Sequence, residues 1–501
     1  MGDQTANQSQ VSNDGGSLKP TGTALWAATA HIVTALIGSG VLSLAWATAQ
    51  LGWIFGPIVM LLFSLVTCYT FTLFADAISS EGPAATKKYE TYMEIFQDKL
   101  GPIRFKISEV VYYISLFGVA IGYTTESSAC LNAIQWSKWF HSGGDYHMNR
   151  ILCVVTFGVI QMFFSQIYEF GKLRSITVFV TAVTSFAYSM IGLGLSVAKV
   201  AVTGKFMGSP TGISIGTVTE TQKIWRTFHA VGVIAYAYSY FIILIEIHSS
   251  INSPTLDGKT LKKASVISVV LTTLIYMLCG CFGYAAFGDL SPENLVTGLG
   301  FDKPFWLLEI AKVAIVIHLI GAYQVYSQPL FKFIENKASL KFNEKEASTT
   351  SNEKEASTTK GNQNPSPGLR IDKQKLVRLV WRTIFVAITS FMSMLLPSFN
   401  DGVGLIGALG FWQFTVYFPV EIYIKEKENE NENENEKERE KEKEKEKEKE
   451  KEKEIGKWRK KWIWLQILSF TCFIISITAA IGSIAGFVLN LKTSNPFKFA
   501  N

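Results

Sequence analysis

A chain of 501 residues that is 48% hydrophobic, only 18% charged and positive in mean hydropathy (+0.22) is too apolar for a soluble protein of its size. Several long windows almost free of charge approach the roughly 20 residues that a membrane helix needs, so the chain reads as an all-α polytopic membrane protein embedded in a lipid bilayer. The net charge of +6 carries no nucleic-acid signal, because the basic residues flank apolar spans.

Cys68, Cys130, Cys153, Cys279, Cys281 and Cys472 fall in or beside those spans without the spacing of a zinc site or a disulfide framework. They read as small buried hydrophobes, with a Cys130–Cys153 bridge as the minor alternative. The polar stretch from Met1 to Lys19 lacks a basic region followed by a short apolar core, so no cleaved signal peptide is expected.

Eleven spans follow, near 24–49, 53–79, 107–134, 151–168, 175–202, 224–249, 262–288, 304–334, 376–397, 402–424 and 460–490. Basic residues collect after the second span (Lys87, Lys88, Lys99, Arg104, Lys106), the fourth (Lys172, Arg174), the sixth (Lys259, Lys262, Lys263), the eighth and the tenth. The loop after the fifth, with Lys205 and Lys223, is less regular. The positive-inside rule then places the N-terminus in the cytoplasm and the C-terminus outside. Residues 1–22 form a cytoplasmic tail, 23–202 a first set of five spans, 223–424 a second set with a cytoplasmic loop at 335–375, 425–459 a charged cytoplasmic loop, 460–490 an eleventh span and 491–501 an outer tail.

Two hydrophilic stretches interrupt the pattern. The octapeptide NEKEASTT runs from Asn343 to Thr350 and recurs from Asn352 to Thr359, and Lys425 to Glu454 passes from Glu/Asn into strict Lys/Glu alternation. Alternation sets like charges at i,i+4 and opposite charges at i,i+3, giving mixed helical support, so both stretches are expected to be solvated and mostly disordered.

The first span is broken midway by Gly38-Ser39-Gly40. In hydrocarbon such a break is tolerable only where the freed backbone groups face protein or a water-filled cavity, and freed N–H groups at that depth receive anions. Close helix packing through small residues is the competing reading. The sixth span carries Ala235-Tyr236-Ala237-Tyr238-Ser239-Tyr240 before an apolar run ending at Glu246. Spans one to five and six to ten are equal in number and opposite in orientation, the form of an inverted repeat in which the first helix of each half is broken at the binding site.

The chain resembles the plant amino acid permeases of the amino acid/auxin permease family. The likeness rests on AHIVTALIGSGVLSLAWATAQLGW (Ala30 to Trp53), FGVAIGY (Phe117 to Tyr123), TQKIWRTF (Thr221 to Phe228), IILIEI (Ile242 to Ile247), YMLCGCFGYAAFGDLSPENLVTGLGF (Tyr276 to Phe301), IVIHLIGAYQVYSQPLF (Ile315 to Phe331), GALGFW (Gly407 to Trp412) and TVYFPVE (Thr415 to Glu421). The resemblance implies a LeuT-like five-plus-five inverted repeat with an eleventh transmembrane helix, and proton-coupled import of amino acids across the plasma membrane.

An amino acid zwitterion needs an anion receptor, a cation receptor and a side-chain pocket. Backbone N–H groups at Ile37, Gly38, Ser39 and Gly40 suit the α-carboxylate, and carbonyls around Ala237 to Tyr240, with the Ser239 hydroxyl, suit the α-ammonium. Tyr123 and Tyr238 are expected as pocket walls. For the proton, His31 and His318 are the candidates, because histidine titrates near neutral pH, and each matches a histidine of the family strings. Glu246 is a third candidate as an intramembrane carboxylate. Each of these also has a packing explanation.

The chain departs from the family pattern at Glu126, Lys312, Gln413, Tyr168-Glu169-Phe170, Lys172 and Arg174, and lacks the cysteines usual after span three. A Glu126–Lys312 pair is conceivable if spans three and eight adjoin. Neutral and acidic amino acids are the expected substrates. The alternatives are an auxin, organic-acid or sodium-coupled carrier of the same fold, or a non-transporting sensor or degenerate copy. An enzyme is the least expected class, since no nucleophile–base pair, metal spacing, cofactor motif or phosphate loop is visible. The oligomeric state is not legible in the sequence.

Overall fold

The computed structural model describes residues 21–80, 92–99, 101–142, 150–167, 170–214, 218–239, 258–298, 304–356, 367–396, 398–439 and 445–493. Tyr240 to Asp257 lie outside these, and with them the IILIEI string and Glu246. The described residues form α1 (Thr21–Leu36), α2 (Leu44–Ser80), α3 (Tyr92–Lys99), α4 (Pro102–Ser142), α5 (Arg150–Ser165), α6 (Phe170–Thr203), α7 (Glu220–Ala237), α8 (Gly258–Phe287), α9 (Phe305–Ala356), α10 (Pro367–Leu395), α11 (Phe399–Gly410), α12 (Phe418–Arg439) and α13 (Lys445–Thr493). A π-helical turn, Phe411–Tyr417, joins α11 to α12.

Among the described residues, eight helices are long and apolar enough to cross a membrane. That number is smaller than the eleven expected spans because the break shortens α1 and the first and second spans run together through α2, α5 has only 16 residues, and α7, of 18 residues, ends at Ala237 with the rest of the sixth expected span outside the described residues. Along α2, Ile54, Phe55, Ile58, Leu61, Leu62 and Leu65 are exposed at helical spacing, an apolar stripe suited to lipid.

Where the first span meets the second, α2 turns a corner at Gly52, whose φ of 82° lies in the left-handed region. The chain after α6 is laced into that corner. Trp53 N and Ile54 N donate to the carbonyls of Ser209 and Pro210 at 3.1 Å, and Ile213 N donates to Ala49 O at 3.0 Å. A Cβ at Gly52 would sit 2.2 Å from Gly212 N, so only glycine fits. At the start of α7, Thr219 and Gln222 form a reciprocal capping box. It begins the helix four residues before the expected span.

The opposite end carries ion pairs. Lys262 binds Asp76 at 2.8 Å, Arg104 binds Glu421 at 2.8 Å and Lys99 binds Glu426 at 2.9 Å. The buried Arg382 pairs with Glu335 at 2.8 Å and donates to Ser165 O at 2.6 Å, joining α5, α9 and α10. Arg382→Ala leaves Glu335 to Arg378 alone and the Ser165 carbonyl without this donor. A loss of about 2 kcal/mol is expected, read as a lower unfolding temperature in detergent with α1 and α7 untouched.

The charged repeats differ from expectation. Helix α9 continues through the first octapeptide to Ala356, and α13 begins in the Lys/Glu run at Lys445. Glu, Lys and Ala are good helix formers, and a helix already nucleated in the membrane spares them the cost of a first turn. All six cysteines are free, so Cys130 and Cys153 are not bridged.

Candidate functional site

Helix α1 ends at Leu36 in the middle of the first span. Ile37 N donates to Val33 O at 2.9 Å and Gly38 N to Leu36 O at 2.8 Å, and a 3-10 turn, Ser39–Ser43, then carries the chain into α2. The first amides of such a turn, Ser39 and Gly40, have no partner within it. The two glycines serve different ends. A Cβ at Gly38 would meet nothing within 4 Å, whereas one at Gly40 would lie 3.2 Å from Cδ1 of Tyr236 and 3.5 Å from Cα of Ala237. Gly38 therefore borders open space, and Gly40 lets the break touch the end of α7.

Helix α7 also stops within the protein. It ends at Ala237, with Tyr238 N donating to Ala235 O at 3.2 Å and Ser239 N to Tyr236 O at 3.0 Å. The Ser239 hydroxyl spends its proton on Ala235 O at 2.6 Å, which leaves only its lone pairs for a ligand. Tyr238 is buried with its ring edge-on to Tyr276, 5.3 Å between centroids, and its hydroxyl 3.4 Å from Thr273 Oγ1, which in turn bonds Ser64 Oγ at 2.7 Å.

The carbonyl ends of the two interrupted helices converge on one side chain. The Tyr276 hydroxyl, on α8, donates to Leu36 O and to Ala237 O, the latter at 3.1 Å. One proton is shared between two carbonyls that each sit at the negative end of a helix dipole. Around the break cluster the hydroxyls of Tyr123, Tyr236 and Tyr326, with the rings of Tyr123 and Tyr326 5.6 Å apart. Tyr236 lies beside Ser39, whose buried Oγ falls short of hydrogen-bond geometry with any described partner.

The proton candidates are scattered. His31 lies on α1, but its side chain is outside the described residues, as is Glu246. His318 is buried between α9 and α6, where Nδ1 meets Thr181 O at 3.1 Å and the ring stands edge-on to Tyr188. Lys312 does not pair with Glu126. Spans three and eight adjoin, since Lys312 Nζ donates to Ala133 O at 3.3 Å, but its ion pair is with Glu309 at 2.8 Å, and Glu126 accepts instead from the Asn294 amide. The short i,i+3 reach within α9 wins over the cross-helix pair.

Sequence reasoning passed over Tyr276 and His229. His229 is buried on α7, its Nε2–H directed at Asn400 O at 2.9 Å and its ring edge-on to Trp46. It stands seven residues before Tyr236 on one helix face, and Tyr276 shares a face with Gly280 and Gly283, so helical periodicity was the available signal. Among the described residues no group of histidine, cysteine and acidic side chains could hold a metal ion.

Above the break lies the segment Ser291–Gly298. Leu295 N donates to Leu42 O at 3.2 Å, and the Asn294 side chain accepts from Val296 N at 2.8 Å. In this loop, burial and the nearby Asp401 push the Glu293 carboxyl up to about 7. A carboxyl raised from the ordinary 4.5 binds more protons folded than unfolded, so stability falls as pH rises between about 4.5 and 7 and levels off above. Glu293→Gln is expected to flatten that part of a melting-temperature profile in detergent.

Two helices that end inside a helical, lipid-facing chain, with polar groups gathered between them, define a multi-pass membrane protein. The family model described as "Transmembrane amino acid transporter protein" matches residues 21–443, and the chain belongs to this family, whose members are transporters rather than enzymes. It is 51% identical to amino acid permease 3 of Arabidopsis thaliana over 98% of this chain and 96% of that protein. It is 49% identical to amino acid permease 2 of the same plant, over 97% and 92%. A crystal structure of MhsT in complex with L-phenylalanine superposes with a TM-score of 0.46 at 13% identity, covering 91% of this chain and 98% of that one.

Proposed function

We propose that the protein is a proton-coupled symporter that imports neutral and acidic amino acids across the plasma membrane by alternating access, with the Gly52 corner outside and the N-terminus in the cytoplasm. The observation that carries the reading is the meeting of the two interrupted helices, Gly40 against Tyr236 and Ala237, and Leu36 O and Ala237 O on Tyr276. The α-carboxylate binds at the amides of Ser39 and Gly40 in the open space beside Gly38. The α-ammonium takes over the carbonyl ends that Tyr276 holds in the empty site. Tyr123, Tyr236 and Tyr326 surround the substrate's side chain.

The family membership and the permease relatives support amino acids as the cargo. Uptake of labelled alanine by a transport-deficient host expressing the chain tests it. Excess unlabelled amino acids should compete, and indole-3-acetate and simple organic acids should not. Competition by the organic acids alone would favour the auxin or organic-acid carrier, and absence of uptake would leave the sensor.

A further inference from the structure

At the end of the molecule that carries the ion pairs, a cavity of about 450 Å³ lies between the corner from α3 to α4 and the first turns of α12. Its lining mixes charge with hydrocarbon. Lys99, Arg104 and Lys425 face it together with Glu421 and Glu428, and Ile103 and Ile424 add apolar surface. Part of this charge is already answered. Lys99 pairs with Glu426 at 2.9 Å, and Arg104 reaches Glu421 at 2.8 Å through Nη1 alone, which leaves the rest of its five-donor fork without a described partner. Two charges are left over. Lys425 is exposed and donates to Lys99 O at 2.5 Å, and among the described residues neither it nor the exposed Glu428 belongs to an ion pair. They stand at i,i+3 on α12, a spacing of about 5–6 Å between Cβ atoms at which Lys and Glu can meet, yet these two do not. An unpaired cation and an unpaired anion thus share one cavity.

A second, independent feature leads into the same place. Ile103, Ile107, Val110 and Ile114 are each more than half exposed, and their spacing sets them on one face of α4. From Ile103, which lines the cavity, the stripe runs about 16 Å along the helix, the depth of one leaflet in a hydrocarbon core about 30 Å thick. An apolar stripe is ordinary on a membrane helix. One that ends in a charged cavity suits a molecule with both parts.

The geometry points to a bound phospholipid with an ethanolamine headgroup, its phosphate on Arg104 and Lys425, its ammonium on Glu428 and one acyl chain along the α4 stripe. The two-carbon link between phosphate and ammonium matches the spacing of Lys425 and Glu428. A primary ammonium donates charge-assisted hydrogen bonds to a carboxylate, whereas trimethylated choline has no N–H to give and a glycerol headgroup leaves Glu428 unanswered. By touching both helices, the lipid adds to the clasp that Lys99 and Arg104 make between the α3–α4 corner and α12. The inference goes beyond the transport reading and asks only that the chain sit in a bilayer.

Native mass spectrometry of the purified full chain, exposed to equal amounts of dioleoyl phosphatidylethanolamine, phosphatidylcholine and phosphatidylglycerol, reads the headgroup while the acyl chains stay constant. The ethanolamine lipid should be retained about tenfold over either of the others, the scale of one charge-assisted hydrogen bond. In Glu428→Gln the excess over choline should disappear, and Lys425→Gln should lower retention of the ethanolamine lipid. Both side chains are exposed and outside any described ion pair, so the variants should keep the unfolding temperature of the unaltered protein in lipid-free detergent. Equal retention of the three lipids by the unaltered protein overturns the inference, and so does an ethanolamine excess that survives in Glu428→Gln. Uptake plays no part in this readout, so either result leaves the transport reading untouched.

Discussion

Gly40→Val is expected to lower amino acid uptake about a hundredfold, equivalent to about 3 kcal/mol of lost binding, while the protein still reaches the membrane. A Cβ at this position already comes within 3.2 Å of the Tyr236 ring and 3.5 Å of the Ala237 backbone. The branched carbons of valine must push α7 away from the break or turn into the space where the carboxylate binds. The interior is packed at crystal-like density, so neither adjustment is cheap. Gly38→Ala is the matching comparison. Its Cβ enters open space, so it should spare folding and act only by occupying the site. Binding of labelled alanine to purified protein, together with the amount of protein at the cell surface, separates lost binding from lost insertion.

Tyr276→Phe is expected to act on turnover. The hydroxyl ties Leu36 O to Ala237 O, and without it two buried carbonyls at the ends of α1 and α7 lose their donor in the empty protein. Such a group left unpaired costs about 1–3 kcal/mol. A bound ammonium can satisfy the same carbonyls, so the cost falls mainly on the empty protein. The maximal uptake rate should drop about tenfold, 1.4 kcal/mol on the free-energy scale, because the interrupted helices are no longer held together when the site is vacant. KM should stay level or fall, and saturating alanine should raise the unfolding temperature more than in the unaltered protein. A raised KM with an unchanged maximal rate would mean that the hydroxyl binds substrate directly.

The break in the first span was legible from the letters alone, since glycine, serine and glycine in an apolar run have few uses in a membrane. The end of α7 was legible from hydroxyl and aromatic residues in an apolar run and from its place in the second half. The partners of these breaks were not. Tyr276 and Tyr326 come from helices far along the chain, and nothing local marks a buried tyrosine as meeting a helix end rather than a neighbouring ring. Ser239 and Tyr238 illustrate the reverse. Their types suit a pocket, but where their hydroxyl protons go was not legible: one is donated back to Ala235 O, leaving its lone pairs to accept, and the other is directed to Thr273, because buried hydroxyls are satisfied first by the nearest acceptor. The Lys/Glu run shows how context overrides composition, as the anchored end of α13 carries helix into a sequence whose charge pattern gives mixed support.

The ion that drives the cargo distinguishes the proposed symporter from a sodium-coupled carrier of the same fold. Purified protein in liposomes, loaded at neutral pH and diluted into sodium-free acidic buffer, gives the most direct measurement. Labelled alanine should accumulate inside above its external concentration, in proportion to the pH difference, and should leak away when a protonophore is added. Accumulation that requires sodium and resists the protonophore would contradict proton coupling.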